Sequence, residues 1–224
     1  MRKMISYLAF LAGFLVLGTA HAADDIATIK AEIEAIKSDP ERYQAVIEKG
    51  REAADFCQLC HGQDGNADKP GVPNLAQQNP VYLTDQFNKF ANGEREDFTG
   101  VMQSLVNTLE PEDRMALAMY FADTSLKSLP YDSVKAKAGK AHFQRVCSIC
   151  HGADGLGKEG YARIAGQRQD YVVDTLKMFR DKDIGKWRSR ESSMMTAYVT
   201  GMDDQTLEQL AHYITSLGEG IIAD

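Results

Sequence analysis

The chain contains the stretch Cys57-Gln58-Leu59-Cys60-His61-Gly62-Gln63-Asp64-Gly65, which returns 90 residues later as Cys147-Ser148-Ile149-Cys150-His151-Gly152-Ala153-Asp154-Gly155. Each copy reads Cys-x-x-Cys-His-Gly-x-Asp-Gly, and together the two copies use all four cysteines of the chain. Self-similarity at a fixed offset indicates repeated structural units. The sequence therefore predicts two similar units, each built around one copy.

The Cys-x-x-Cys-His spacing is typical of covalent haem attachment. Two thiols one helical turn apart can reach the two vinyl groups of one porphyrin, and the adjoining imidazole can bind its iron. A disulfide pair or a redox dithiol would not require the histidine, and a closed zinc site would need a fourth ligand. We therefore predict two covalently attached haem c groups, with Cys57, Cys60, Cys147 and Cys150 as attachment residues and His61 and His151 as iron ligands.

Helical periodicity accompanies the repeat. Three apolar residues within 83–90 are spaced i, i+4, i+7, and three within 172–179 repeat that spacing. Each repeat closes on a further predicted helix, for which Pro111 and Asp203 supply start signals. No segment alternates apolar and polar residues as a strand would. The predicted fold is therefore all-α, with two tandem domains related by internal repeat, each wrapped around one haem.

Composition sets the predicted boundaries. Residues 1–22 have the basic start, the apolar run and the small-residue site Ala20-His21-Ala22 of a secretory signal peptide, so we expect cleavage near Ala22 and export to the periplasm. An uncleaved segment would instead serve as an anchor. Residues 23–49 lie outside the repeat and carry isoleucines at helical spacing, which predicts an N-terminal helical extension packed on the first domain. The first domain is predicted at 50–124, a linker at 125–133 and the second domain at 134–224.

A six-coordinate iron needs a second axial ligand, and methionines occur at corresponding places in the two repeats. Met102 and Met195 are 93 residues apart, and each lies seven residues before the region of its closing helix. We therefore predict that Met102 ligates the first iron and that Met195 ligates the second. Met194 would replace Met195 if the loop were shifted by one residue.

Charge restricts the partners. Beyond the predicted signal peptide, the chain has 23 basic and 32 acidic residues, so nucleic acid is not expected to bind. Residues 24–130 hold 10 basic and 19 acidic side chains, whereas residues 131–224 hold 13 of each. This asymmetry could orient the molecule toward a charged partner, although an acidic surface that only aids solubility explains it equally well. Peripheral association with a membrane is compatible with the sequence.

From about Gly50 to Leu217 the chain resembles the dihaem cytochromes of the cytochrome c4 type, which consist of two class I cytochrome c domains. Besides the haem motifs, the resemblance is carried by Pro73-Asn74-Leu75-Ala76 with Gln78, by Tyr120-Phe121 and by Ala211-His212-Tyr213. It implies periplasmic electron transfer from a quinol-oxidising complex toward a terminal oxidase, with histidine and methionine on both irons. It also implies that the carbonyl of Pro73 accepts a hydrogen bond from the ligand histidine, whereas Ala162 stands there in the second domain.

We therefore predict an electron-transfer protein without catalytic residues, which passes single electrons by outer-sphere transfer between periplasmic or membrane-bound respiratory partners. The expected donor is a quinol-oxidising complex or a dehydrogenase, and the expected acceptor is a terminal oxidase or a soluble cytochrome. Two alternatives remain: the electron-accepting subunit of a larger dehydrogenase, such as a flavocytochrome c sulfide dehydrogenase, and a dihaem enzyme with one open iron position. The matching methionines argue against the enzyme.

Overall fold

The computed structural model describes residues 26–97, 99–158, 160–181 and 190–222. These residues form helices and contain no β-strand, which confirms the all-α prediction. The predicted signal peptide, residues 1–22, lies outside the described part of the chain. None of the described helices is both long enough and apolar enough to span a bilayer.

The helices of the first half begin before the first Cys-x-x-Cys-His motif and end after the first closing helix. They are α1 (Ile26–Lys37), α2 (Pro40–Ala53), α3 (Asp55–His61), α4 (Pro80–Ala91), α5 (Val101–Val106) and α6 (Pro111–Asp123). The second half contains α7 (Ser133–His142), α8 (Ser148–His151), α9 (Gln169–Arg180), α10 (Arg190–Val199), α11 (Asp204–Ser216) and α12 (Gly218–Ile222). A π-helical turn, Phe143–Cys147, joins α7 to α8.

Short polar side chains and prolines fix where the helices begin. Asp39 accepts hydrogen bonds from the first backbone N–H groups of α2, and Pro40 follows at the first helical position. Asp132 caps α7 in the same way. The closing helices begin where the sequence predicts, because α6 opens on Pro111 and Asp203 caps α11.

Two helix crossings repeat between the halves. α2 packs on α6, and α7 packs on α11. The helices of each pair approach closely because a glycine lies at the crossing. A Cβ on Gly50 would overlap the carbonyl oxygen of Ala116, and a Cβ on Gly139 would overlap that of Gln209. The first pair of helices is therefore the structural counterpart of the second. Since α2 begins at Pro40 and contains Gly50, the predicted domain boundary at residue 50 falls inside this helix.

Each half has its own apolar core. The first cluster combines α4 and α6 and includes Leu83, Phe87, Phe90, Leu117 and Phe121. The second combines α7, α9 and α11 and includes Phe143, Val172, Leu176, Leu210 and Ile214. The apolar triplets that mark the repeat in the sequence thus line these cores, although Phe179 is only partly buried. Every buried side chain in these sets removes apolar surface from water, which is the main force that stabilises such helices.

The helix α1 lies outside the repeated pattern. Its buried face consists of Ile29, Ile33 and Ile36, which pack against Val81 of α4 and Met119 of α6. At its first turn, Ile26 lies so close to Gly160 of the second half that a Cβ on Gly160 would collide with its side chain. α1 therefore contacts both halves of the molecule.

Candidate haem-binding sites

The first Cys-x-x-Cys-His motif lies on a single short helix. α3 spans seven residues and carries Cys57, Cys60 and His61. Side chains three residues apart lie on the same face of a helix, so the two thiols point to one side. No disulfide joins these two cysteines. This arrangement can present two sulfur atoms to the edge of one flat macrocycle.

The second motif has the same order but a different backbone. Cys147 ends the π-helical turn, and Cys150 and His151 follow on the four-residue helix α8. In the first half the chain instead bends at the buried residue Ala54 between α2 and α3. π-Turns inside helices are rare and occur frequently at functional sites. The two halves therefore bring their cysteine pairs to equivalent places by two different helix geometries.

Each motif histidine is held by a backbone carbonyl. Nδ1 of His61 lies 3.0 Å from the carbonyl oxygen of Pro73, and Nδ1 of His151 lies 2.9 Å from that of Ala162. A carbonyl oxygen only accepts, so Nδ1 carries the proton and donates it. The second ring nitrogen, Nε2, then has a lone pair available for a metal. This is the tautomer that an iron ligand needs.

Burial also favours the neutral imidazole. His61 is only 7% exposed, and desolvation lowers its pKa, with the hydrogen bond to Pro73 acting in the opposite direction. The pKa of His151 is lowered for the same reason, and its hydrogen bond to Ala162 opposes that change. Both rings are therefore unprotonated at Nε2 at neutral pH, so no proton must leave before iron binds.

The carbonyl oxygens are fixed by a repeated loop. The carbonyl of Gly65 accepts hydrogen bonds from the N–H groups of Leu75 and Ala76, at 2.7 and 3.1 Å. The carbonyl of Gly155 accepts from Ile164 and Ala165, at 2.8 and 3.0 Å. These bonds tie each segment that follows a motif back onto the motif itself. The positions of the Pro73 and Ala162 carbonyls are therefore set by backbone contacts as well as by residue type.

The first cysteine of each motif has a thiol that resists ionisation. Burial raises the pKa of Cys57 to about 11, and it raises that of Cys147 to about 11 as well. Reactive redox cysteines, by contrast, have lowered rather than raised pKa values. The apolar surroundings that cause these shifts also suit the apolar edge of a porphyrin. The donor set of both sites thus fits covalently bound haem.

The candidate methionines lie at the edges of the two cores. Met102 is the second residue of α5 and packs against the same cluster as Cys57. Its N–H group donates to Oδ1 of Asp97 at 3.0 Å. Met195 lies on α10 and packs against the same cluster as Cys147. The neighbouring Met194 is 42% exposed.

Sequence reasoning alone did not assign a role to three buried polar residues beside these sites. Gln78, Arg163 and Gln167 are 5%, 2% and 4% exposed and form hydrogen bonds between the two halves. The two glutamines occupy corresponding places in the two repeats, and this correspondence could have indicated a shared role. Arg163 gave no such signal, because its counterpart in the first repeat is Asn74.

Comparison with known proteins agrees with this geometry. The family model described as cytochrome c matches residues 136–218. Cytochrome c4 of Pseudomonas aeruginosa is 26% identical over 97% of this chain and 100% of its own length. The crystal structure of reduced recombinant cytochrome c4 from Pseudomonas stutzeri superposes with a TM-score of 0.67 and 25% identity, covering 75% of this chain and 97% of the other.

A further relative is a subunit of a larger assembly. The cbb3-type cytochrome c oxidase subunit FixP of Rhizobium meliloti is 27% identical over 85% of this chain and 67% of its own length. These relatives are cytochromes or cytochrome subunits, and each Cys-x-x-Cys-His motif of the chain matches the requirement for covalent haem c. The chain is a dihaem c-type cytochrome of the cytochrome c4 type, with two covalent haem c groups, and it is an electron-transfer protein.

Proposed function

We propose that the chain is an exported electron carrier in which His61 and Met102 ligate one haem iron and His151 and Met195 ligate the other. Cys57 and Cys60 attach the first haem, and Cys147 and Cys150 attach the second. The observation that carries the proposal is the matched pair of histidines, each donating through Nδ1 to a backbone carbonyl at 3.0 and 2.9 Å. This leaves Nε2 of both rings free to bind iron.

The methionine assignment rests on equivalent packing. Met102 and Cys57 adjoin one core, and Met195 and Cys147 adjoin the other. A thioether is a neutral, weakly donating ligand, so it favours reduced iron and raises the potential. The greater exposure of Met194 supports Met195 as the ligand of the second iron.

Bound haem supplies a one-electron couple between ferric and ferrous iron, and the protein determines when and where that couple operates. The cysteines fix the orientation of the group, and the histidine and methionine set its potential. The apolar clusters around Phe87 and Leu176 exclude water from the interior. No substrate bond needs to break, so transfer occurs in the outer sphere.

We propose that the signal peptide is removed near Ala22 and that the protein works in the periplasm. Its donor would be a quinol-oxidising complex or a dehydrogenase, and its acceptor a terminal oxidase or a soluble cytochrome. The acidic excess of residues 24–130 supports a partner with a basic docking surface. Such long-range attraction weakens as salt screens it, so the rate of electron delivery should fall with ionic strength.

We further propose two haem domains joined by the linker 125–133. The end of the first domain at residue 124 agrees with the end of α6 at Asp123. The crossing of α2 with α6, which matches that of α7 with α11, supports a start at Pro40 rather than at residue 50. The N-terminal extension would then consist mainly of α1.

Carbon monoxide binding to the reduced protein tests the ligand assignment. The unmodified protein should bind the gas slowly, because both irons are six-coordinate. Met102→Ala should create rapid binding at one haem only, whereas Met115→Ala, which removes a partly buried methionine beside α1, should not. Rapid binding by the unmodified protein, or no change in Met102→Ala, would overturn the assignment.

The similarity to an oxidase subunit favours a second candidate function, namely a cytochrome subunit within a larger complex. The face of α1 that does not pack on α2, α4 and α6 would be available for such a partner. Purification from the native membrane fraction under mild conditions separates the two candidates. A stable, stoichiometric catalytic chain would favour the subunit, and a monodisperse cytochrome would favour the free carrier.

A further inference from the structure

The two domains exchange hydrogen bonds through a reciprocal pair of glutamines. Oε1 of Gln167 accepts from the N–H group of Asn74 at 2.8 Å, and its Nε2 donates to the carbonyl of Asn74 at 3.0 Å. In the opposite direction, Oε1 of Gln78 accepts from the N–H group of Arg163 at 2.6 Å, and its Nε2 donates to the carbonyl of Arg163 at 2.9 Å. Each glutamine thus clasps one residue of the other domain.

The clasped residues directly follow the carbonyls that hold the histidines. The peptide group between Pro73 and Asn74 accepts from His61 through its oxygen and donates to Gln167 through its N–H. The peptide group between Ala162 and Arg163 is used in the same manner by His151 and Gln78. One peptide group therefore connects each histidine to a glutamine of the opposite domain.

A hydrogen bond at one end of a peptide group strengthens the bond at the other end. When the N–H donates, the amide becomes more polarised and its oxygen becomes a better acceptor. A better acceptor at Nδ1–H makes the imidazole a stronger electron donor through Nε2. A more strongly donating histidine stabilises ferric iron, so each glutamine should lower the potential of the iron in the other domain.

The glutamines are held in place for this contact. The residues before them, Gln77 and Gly166, both have positive φ, at 53° and 68°. Their N–H groups donate to the closing helices, from Gln77 to Phe121 and from Gly166 to Ile214, at 2.8 and 2.9 Å. The same left-handed turn therefore aims both side chains, and their burial protects the contacts from water.

We propose that Gln78 and Gln167 are cross-domain positioning residues, each tuning the iron-ligating histidine of the other domain through the peptide group they share. The inference rests on the proposed ligation by His61 and His151. It adds that the potential of each haem depends on the domain that does not bind it. A neutral amide suits this role because it donates and accepts without adding charge.

The test uses the dihaem holoprotein and its Gln167→Met variant, with the two haem signals assigned by NMR during redox titration. The variant should raise the potential of the haem bound by His61 more than that of the haem bound by His151. In the reduced protein, the Nδ1 proton of His61 should move to lower chemical shift, because its hydrogen bond is weaker. Gln78→Met should give the converse pattern, and Gln167→Asn, with too short a side chain, should repeat Gln167→Met.

Asn79→Ser is the matched control. It is also neutral, it keeps a side chain that can cap α4, and it removes only the cross-domain bond from Nδ2 of Asn79 to the carbonyl of Tyr161. Potentials that shift equally in this control, or that shift mainly in the domain carrying the substitution, would overturn the inference. Histidine ring signals in the unmodified protein come first, because failure to find both rings on iron would overturn the proposed function instead.

Discussion

The two haem domains reach the same histidine geometry with different residues. In the first, the carbonyl that receives the histidine belongs to Pro73, whose φ is locked by its ring, and in the second it belongs to Ala162. The two hydrogen bonds differ by only 0.1 Å in length. The hydrogen bonds that the carbonyls of Gly65 and Gly155 accept from the segments after them are also alike. Proline is therefore one way to stiffen this segment, and it is not what places the carbonyl.

The residue that follows the histidine-binding carbonyl differs more between the two domains. The side chain of Asn74 accepts locally from the N–H group of Ala67 at 2.9 Å, and its Nδ2 makes one longer bond to the second domain, to the carbonyl of Gly166 at 3.4 Å. Arg163 reaches across to the first domain and donates to the carbonyls of Gln77 and Ala76, at 2.9 and 2.7 Å. Burial lowers its pKa to about 10, so it still carries its charge at neutral pH. The second domain thus supplies a buried cation to the interface, and the first supplies carbonyl oxygens.

We expect the largest effect when the proposed methionine ligand of the second iron is replaced, and none when its neighbour is replaced. Met195→Ala should open one coordination position and permit rapid carbon monoxide binding at half of the haem. Met194→Ala should leave the binding unchanged, because this side chain is 42% exposed. Rapid-mixing kinetics of the reduced variants measure the effect. The opposite pattern would transfer the ligand role to Met194.

Alanine at either crossing glycine should strongly destabilise its own domain. A Cβ on Gly50 or Gly139 would overlap a backbone oxygen of the facing helix, which cannot move away as a side chain can. We expect a loss of about 3 kcal/mol in the free energy of unfolding for each variant, at the upper end for overpacked sites. Urea unfolding followed by circular dichroism measures it.

Gly220→Ala is the control for these variants, because a Cβ there meets no atom within 4 Å. It should change the free energy of unfolding by less than about 0.5 kcal/mol. If Gly50→Ala were as harmless as this control, α2 would not be the counterpart of α7. The proposed start of the first domain at Pro40 would then lose its main support.

Exchanging proline and alanine between the domains should have a small effect on stability. Pro73→Ala should lower the free energy of unfolding by about 0.5–1 kcal/mol, because the unfolded chain gains freedom. Ala162→Pro should raise it by a similar amount, since the carbonyl already lies where proline would put it. The Nδ1 proton shifts of His61 and His151 should barely change. A large shift in Pro73→Ala would mean that proline itself places the carbonyl.

The smallest expected effect is a pH dependence confined to the first domain. The hydroxyl of Tyr43 donates to Asp123 at 2.7 Å, and burial, that hydrogen bond and the nearby negative charge raise its pKa from 10 to about 12. The unfolded chain therefore loses this proton at lower pH than the folded protein does. The stabilisation is complete below pH 10 and is lost as the pH rises toward 12.

Tyr43→Phe should accordingly flatten the decline of stability between pH 10 and 12. Thermal unfolding across that range, compared with the unmodified protein, measures the change. Tyr198→Phe provides a control on an exposed tyrosine of the second domain. If the stability of Tyr43→Phe declined between pH 10 and 12 as steeply as that of the unmodified protein, the contact between Tyr43 and Asp123 would not be the cause of the decline.

The features that the sequence predicted correctly depend on residues that are close together in the chain. The haem motifs, the all-α class and the starts of α6 and α11 depend on residues within a few positions of one another. The pair Asp39-Pro40 follows the end of α1 and also starts α2, and α2 continues past residue 49. A start signal and a stop signal look alike when two helices meet this closely.

The contacts between domains could not be predicted in the same way. The clasp by Gln78 and Gln167 depends on how the two repeats are rotated against each other, which no local spacing encodes. The positive φ of Gln77 is unusual for a residue with a side chain, and the hydrogen bond from its N–H group to the distant Phe121 helps to hold it. The burial of Arg163 depends equally on carbonyl groups from distant parts of the chain.

The intact mass of the secreted protein, measured together with its haem content, tests the central claim most directly. The account predicts a polypeptide beginning after Ala22 that carries two haem groups, with one held by Cys57 and Cys60 and the other by Cys147 and Cys150. A colourless protein with the mass of the bare polypeptide, from cells that attach haem to other cytochromes, would contradict it.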